Sequence, residues 1–270
     1  MSSFFIFIGM NDPIGIFDSG VGGTSIWKEI HTLLPFENTI YLADSINAPY
    51  GYKSVEEIIS LSIKNTELLL EMDCKLIVVA CNTATTNAIS VLRKKYDIPF
   101  IGIEPAIKPA ALKTQSNSIV ILATKGTLNS SLFSSTSKEI TNDIIITEVI
   151  GEGLVPLIEA GKINSKETTL LLKKYLKPMI KANIDHLVLG CSHYPYLIPQ
   201  LKKLLPKEVC IIDSGEAVAR QTKSVLQNHL LLSNSKEKPS LQFYTNSETK
   251  ILEQLLYEFT NDISVEKKLF

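Results

Sequence analysis

Short apolar runs rich in Ile and Val recur along the chain, at Ile14–Phe17, Thr39–Leu42, Lys75–Ala80, Phe100–Ile103, Ile119–Ala123, Ile144–Ile150, His186–Leu189 and Val209–Ile212. Most do not alternate with polar residues. That pattern predicts strands covered on both faces, as in a parallel sheet. Polar stretches with helical spacing lie between them. Ser54-Val-Glu-Glu57 reads as a capping box opening a helix that runs to about Met72. Ser165 to Asn183 is a second long amphipathic segment. Strand and helix alternate throughout, which predicts an α/β fold. The pattern breaks at Glu104-Pro105-Ala-Ile-Lys-Pro109, after which a second βα series starts at Ile119. It breaks again at the polar Ser233–Pro239 stretch, before a short final strand and helix. With 270 residues, the chain has room for two domains.

Composition narrows the class. The chain is 45% hydrophobic and 20% charged, as soluble globular proteins are. Lys+Arg is 27 against Asp+Glu 28, and no basic stripe appears, so no nucleic-acid partner is expected. The most apolar short run, Phe4–Ile8, is far below the ~20 residues that span a bilayer. It also lacks the basic leader and small-residue cleavage site of a signal peptide. It reads as a first strand or as an extension before Met10, and the expected location is the cytoplasm, with no membrane partner.

The chemistry lies in the thiols. The four cysteines, Cys74, Cys81, Cys191 and Cys210, form no CxxC pair, and a reducing cytosol disfavours disulfides. Cys74 at a helix-to-strand junction and Cys210 inside an apolar strand read as small core residues. Cys81 and Cys191 share a context. Lys75-Leu-Ile-Val-Val-Ala-Cys81-Asn-Thr83 echoes Asp185-His-Leu-Val-Leu-Gly-Cys191-Ser-His193, with the cysteines 110 residues apart. Each thiol follows a strand where the chain turns toward a helix, and helix N-termini favour the thiolate. Ligands of open α/β sheets bind beyond the carboxyl ends of the strands, so two such ends facing each other would flank one small ligand. Three rival readings stand beside this one. Cys191, His193 and a carboxylate could hold zinc, although Cys-x-His is an uncommon ligand spacing. Cys191 with His193 could form a covalent nucleophile pair, which leaves Cys81 idle. A binding module without catalysis leaves both thiols idle.

Asp18-Ser19-Gly20-Val21-Gly22-Gly23 follows the first strand. It meets the G-x-G-x-x-G dinucleotide fingerprint only in part, because the third position is Ser25, and Asp18 would repel a pyrophosphate. The alternatives are a tight strand-to-helix turn, or a cradle for a small zwitterion. Tyr50, in the turn-rich Asn47–Gly51 segment, could be an ordinary surface aromatic. Glu159 taken alone reads as a solvated charge, and His31 and His229 as surface or boundary residues.

Seven segments occur in the order found in one family: Gly15-Ile-Phe-Asp-Ser-Gly-Val-Gly-Gly23, Pro49-Tyr-Gly51, Ala80-Cys-Asn-Thr-Ala-Thr85, Gly102-Ile-Glu-Pro-Ala106, Ala123-Thr-Lys-Gly-Thr127, Val155-Pro-Leu-Ile-Glu159 and Gly190-Cys-Ser-His-Tyr-Pro195. Over roughly residues 14 to 220 the chain thus resembles the glutamate racemases, within the cofactor-independent amino-acid racemases. The resemblance implies two pseudo-symmetric α/β domains, residues 1–104 with 215–270 and residues 105–214, with the site in the cleft between them. It implies interconversion of L- and D-glutamate for peptidoglycan synthesis, without cofactor or metal. Cys81 and Cys191 match the two acid/base thiols, with Cys81 as the base toward the D-isomer. Asp18 matches the carboxylate that assists the first thiol, and His193 with Glu159 match the groups that assist the second. Asp18, Ser19, Tyr50, Gly51, Asn82, Thr83, Ser192 and His193 fall at substrate-contact positions. Ser192 stands where the family usually has Thr, which keeps the hydroxyl and loses a methyl. The tail after Ser233 lies outside the resemblance, and the oligomeric state stays open, a homodimer being one option.

Overall fold

Among the described residues the strands are β1 (Ile14–Asp18), β2 (Thr39–Ala43), β3 (Leu76–Val79), β4 (Phe100–Gly102), β5 (Ser118–Ala123), β6 (Ile145–Ile150), β7 (His186–Gly190), β8 (Cys210–Ile212), β9 (Leu241–Thr245) and β10 (Ser264–Lys267), the first eight falling on the apolar runs. The helices are α1 (Thr24–Leu33), α2 (Val55–Glu71), α3 (Asn82–Lys95), α4 (Ile107–Lys113), α5 (Lys125–Leu128), α6 (Ser131–Lys138), α7 (Leu154–Glu159), α8 (Lys166–Lys181), α9 (Ile198–Leu204), α10 (Gly215–Asn228) and α11 (Lys250–Leu255). These come from a computed structural model that describes residues 9–140 and 143–270. The expectation of a strand at Phe4–Ile8 lies outside the described residues.

The strands form two all-parallel sheets, in the orders β10-β9-β2-β1-β3-β4 and β6-β5-β7-β8. Four consecutive strands of the first sheet, β2-β1-β3-β4, and the whole second sheet share one order, in which β5 to β8 repeat β1 to β4. Two parallel sheets flanked by helices make this an α/β protein, the class that the alternation predicts. The central strands β1, β3, β5 and β7 are buried along their whole length. Their continuous apolar character follows from helices covering both faces.

Helix α2 opens on the predicted capping box: Glu57 N donates to Ser54 Oγ, and Ser54 N donates to the Glu57 carboxylate. Helix α8 is capped by Ser165 and buries Leu172, Leu176 and Met179. Pro109 does not break the chain; it falls in the first turn of α4, where a missing N–H costs little. The tail returns to the first sheet, where β9 pairs with β2. It holds one strand more than the sequence reading, because β10 is a short edge strand of mixed polarity. Among the described residues, no helix is long and apolar enough to cross a membrane.

Two expectations need correction. Cys210 is exposed, not core, because β8 is the outer strand of its sheet and nothing covers its first residue. Strand β6, also at an edge, is only partly covered rather than buried on both faces. Cys74 is buried as expected, and an added Cβ at Gly15 would meet its sulfur at 2.9 Å.

Candidate active site

The carboxyl ends of the two sheets face each other across a narrow cleft, lined by Ser19, Tyr50, Gly51, Cys81, Asn82, Thr83, Ser192 and His193 among others. Both Cys81 and Cys191 lie on this wall and are buried. Strand register explains the placement. Phe17 pairs with Val79 and Leu122 with Leu189, so two residues further on Ser19 stands beside Cys81 and Thr124 beside Cys191. Asp18 lies at the end of β1, and Gly23 N donates to its Oδ2 at 2.9 Å.

The two thiols have different supports. Cys81 is the N-cap of α3, and its Sγ accepts from Ala84 N at 3.4 Å and donates to Ser19 Oγ at 3.7 Å. Burial pushes this thiol well up, and the Asp18 charge adds to the effect, against the α3 amide and Ser19. Burial at the cleft wall therefore favours the protonated form of Cys81. Cys191 does not cap a helix, contrary to expectation. The single 3₁₀ turn Tyr194–Leu197 follows it instead. Its neighbour is His193, whose Nδ1 lies 3.8 Å from Cys191 Sγ.

His193 is buried, which alone would lower its pKa. Cys191, a hydrogen bond to Glu159 and the Asp18 charge outweigh burial and hold it well above the ordinary histidine value. Its Nε2 is 2.5 Å from Glu159 Oε1, and its Nδ1 is 3.9 Å from Asp18 Oδ2. Burial raises the Asp18 pKa, opposed by the His193 charge and the Gly23 amide.

Glu159 is not a solvated charge. It sits on the second domain and accepts from Val21 N at 2.7 Å and Ser45 Oγ at 3.0 Å, both in the first sheet's connections. Ser192 Oγ also crosses the cleft, donating to Asp18 Oδ1 at 3.1 Å. The glycines of the first turn make this approach possible. A Cβ on Gly20 would run into the Glu159 carboxylate, and one on Gly22 into the His193 ring. The segment therefore serves close contact between domains rather than a dinucleotide.

Asn82 is buried at the start of α3, and neither its amide nitrogen nor its oxygen has a partner among the described residues. A buried side chain with unmet donors and acceptors in a cleft is suited to a polar ligand. Thr83 Oγ1 bonds Thr124 Oγ1 at 2.8 Å across the cleft. Tyr50 is buried rather than a surface aromatic. Its hydroxyl donates to Asp44 Oδ2 at 2.5 Å, which leaves its ring and the Tyr50–Gly51 backbone for the cavity wall. His31 is a boundary residue stacked on Trp27, with ring centroids 5.1 Å apart. Among the described residues, no three His, Cys, Asp or Glu side chains are grouped to hold a metal ion.

Ser45, Thr124 and Asp44 belong to this site's surroundings; Thr124 lies in the Ala123–Thr127 segment without being singled out there, and Asp44 and Ser45 carried no signal beyond their place in a loop at a strand end. Two buried thiols with different neighbouring groups thus line one small polar cleft. The sequence profile of the Asp/Glu/Hydantoin racemase family matches residues 14–222, and the chain belongs to that family. A glutamate racemase of Ectopseudomonas mendocina is 46% identical over 221 residues, covering 82% of this chain and 84% of that protein. One of Herpetosiphon aurantiacus is 42% identical over 238 residues, covering 88% and 94%. The crystal structure of Escherichia coli glutamate racemase, in complex with L-glutamate and the activator UDP-MurNAc-Ala, superposes with a TM-score of 0.85 at 33% identity, covering 95% of this chain and 98% of that one. The glutamate racemase isoform RacE1 of Bacillus anthracis gives 0.85 at 32% identity, covering 96% and 98%.

Proposed function

We propose that this enzyme interconverts L- and D-glutamate by proton transfer at Cα between Cys191 and Cys81, without a cofactor. The observation that carries the reading is the pair of buried strand-end thiols on one small cleft, each with its own supporting group. Relatives named as glutamate racemases, similar over most of their length, supply the substrate.

One group cannot easily reach both faces of Cα, so inversion needs an acid and a base on opposite sides. In the direction from L-glutamate, the Cys191 thiolate takes the Cα proton as the Cα–H bond breaks. The electron pair left on Cα takes the proton of the Cys81 thiol on the other face. Cys81 ends as the thiolate and Cys191 as the thiol, and the return reaction runs the same steps backwards. Protonated Cys81 suits the starting state. The imidazolium of His193 stabilises negative charge beside Cys191, and Glu159 fixes its ring. Asp18 does the corresponding work for Cys81, favouring its protonated form.

The carbanion needs donors placed before the reaction begins. The Asn82 amide, Thr83, Ser192 and the N-terminus of α3 are the groups for the substrate carboxylate. Ser19 and the Tyr50–Gly51 backbone complete the wall. We take residues 1–104 with 215–270 as one domain and 105–214 as the other, a division supported by sheet membership. The proposed setting is the cytoplasm, supplying D-glutamate for peptidoglycan.

The test is incubation of dialysed, chelator-treated enzyme with L-glutamate in deuterated water, following optical rotation and deuterium at Cα. Loss of rotation with one deuterium per inversion is expected. Inactivity that pyridoxal phosphate or zinc restores would refute the reading, and faster turnover of aspartate would change the substrate.

A further inference from the structure

The segment 45–52 serves the cleft twice. Ser45 bonds Glu159, and Pro49, Tyr50 and Gly51 form part of the cavity wall. It holds only two single 3₁₀ turns, Ser45–Asn47 and Tyr50–Tyr52, so its position has to be fixed from outside. Three buried side chains do this, one of them Asn65, whose Nδ2 donates to Tyr50 Oη at 3.1 Å. Asp44, fully buried at the end of β2, accepts from Tyr50 Oη at 2.5 Å through Oδ2. Its Oδ1 accepts from Asn47 Nδ2 at 2.7 Å and from Asn246 Nδ2 at 2.5 Å. Asn246 is 1% exposed, and its Oδ1 accepts from Ile46 N at 3.0 Å.

The β2–β9 register makes this possible. Ala43 pairs with Thr245, so the next residues, Asp44 and Asn246, emerge side by side. One amide therefore grips the segment directly at Ile46 and, through Asp44, at Asn47 and Tyr50. The family profile ends at residue 222, so Asn246 belongs to the part of the chain it leaves untouched.

We infer that Asn246 is a positioning residue for the substrate-facing segment 45–52, acting through Asp44 and the Ile46 amide. The inference rests on the proposed glutamate reaction for its kinetic readout. Asparagine suits the position because it donates to a carboxylate and accepts from an amide with one rigid group. Alanine removes both bonds and leaves the Asp44 oxygen with fewer donors.

The test compares Asn246→Ala with Leu241→Ala, which truncates a buried residue at the far end of the same strand. Asn246→Ser, too short to bridge both partners, is the second variant if Asn246→Ala folds poorly. Loss of two hydrogen bonds, one to a charged group, is expected to raise KM for both enantiomers about tenfold while kcat changes less than about threefold. Hydrogen exchange at the amides of residues 46–52 is expected to accelerate about tenfold in the same variants. Leu241→Ala is expected to lower Tm while leaving KM and that exchange unchanged. The inference is overturned if KM and exchange in the Asn246 variants match wild type, or if Leu241→Ala moves them equally. Wild-type enzyme that turns over no glutamate would defeat the proposed function instead, and the exchange measurement would still decide whether Asn246 holds the segment.

Discussion

Replacing Glu159 with Gln isolates one charge at the centre of the site. The carboxylate takes three bonds, from His193 Nε2 at 2.5 Å, Val21 N at 2.7 Å and Ser45 Oγ at 3.0 Å. Glutamine has the same shape. Its oxygen can still face His193 and Val21, while its NH2 donates to Ser45, so the contacts survive and the charge goes. A hydrogen bond to a charged partner contributes about 1.5–3 kcal/mol against about 0.5–1.5 for a neutral one, so the substitution costs about 1–1.5 kcal/mol. The His193 pKa is expected to fall, because burial is then opposed only by Cys191 and Asp18. The sign follows from which form acts. If the imidazolium is needed, activity persists below its pKa and is lost as pH rises through it. The alkaline limb of the kcat profile is then expected to move toward acid, and the weakened charge beside Cys191 to lower kcat about tenfold on the plateau as well. Circular dichroism in both directions provides the assay. The enantiomers are equal in energy, so the kcat/KM values of the two directions stay tied together. A direction-specific effect must therefore appear in kcat and in the isotope effect of Cα-deuterated substrate, strongest where Cys191 is the base. A folded variant with an unmoved limb and kcat within about twofold in both directions would refute the role given to Glu159.

Cys81→Ser and Cys191→Ser are each expected to abolish racemisation, yet eliminate HCl from one enantiomer of chloroglutamate, with opposite preferences; the same preference in both would mean that the thiols do not flank Cα. Cys74→Ala is expected to lower stability by about 1 kcal/mol and Cys210→Ala to leave it unchanged, with kcat preserved in both, as measured by denaturant unfolding and turnover. Asp185 accepts from Thr114 Oγ1, Gln115 N, Ser116 N and His186 Nδ1, which outweigh desolvation and hold its pKa well below the usual carboxylate range. A lowered carboxylate pKa gives stability above the unfolded value that is lost as pH falls, so Asp185→Asn should cost about 1 kcal/mol at neutral pH, solvent screening allowed for, and the gap should close in acid.

The strands were legible because β1, β3, β5 and β7 are buried on both faces, so their pattern is unbroken apolarity. The echo around Cys81 and Cys191 was legible for a related reason, since equivalent strands of two like sheets end in it. Residues whose role depends on approach from far along the chain left no local mark. Glu159 meets Val21 and Ser45 across 138 and 114 positions, and its own surroundings in sequence resemble those of a surface charge. Cys210 misled because an apolar strand sequence does not reveal that the strand is the last of its sheet. The glycines after Asp18 suggested a phosphate loop, a turn or a zwitterion cradle, whereas the clearance they provide is taken by His193 and Glu159 from the other domain.

The shared strand order also bears on how a two-sided reaction can begin. Two matching halves with matching surroundings would hold both thiols in one protonation state, leaving either two acids or two bases. Here the frame repeats while the surroundings do not. At the end of the β1–β3 pair, the group beside Cys81 is the Asp18 carboxyl, and burial, with Asp18 adding to it, favours the protonated thiol. At the equivalent end of β5 stands Ala123 followed by uncharged Thr124, and the group nearest Cys191 is instead the cationic His193, fixed by Glu159. The proposed mechanism needs one acid and one base, and the unlike groups beside the two thiols are what distinguishes them. Asp18 and His193 also lie 3.9 Å apart, so each lowers the cost of burying the other. Removing either charge should therefore perturb both thiols, and the pair acts as one electrostatic unit spanning the cleft rather than as two independent assistants.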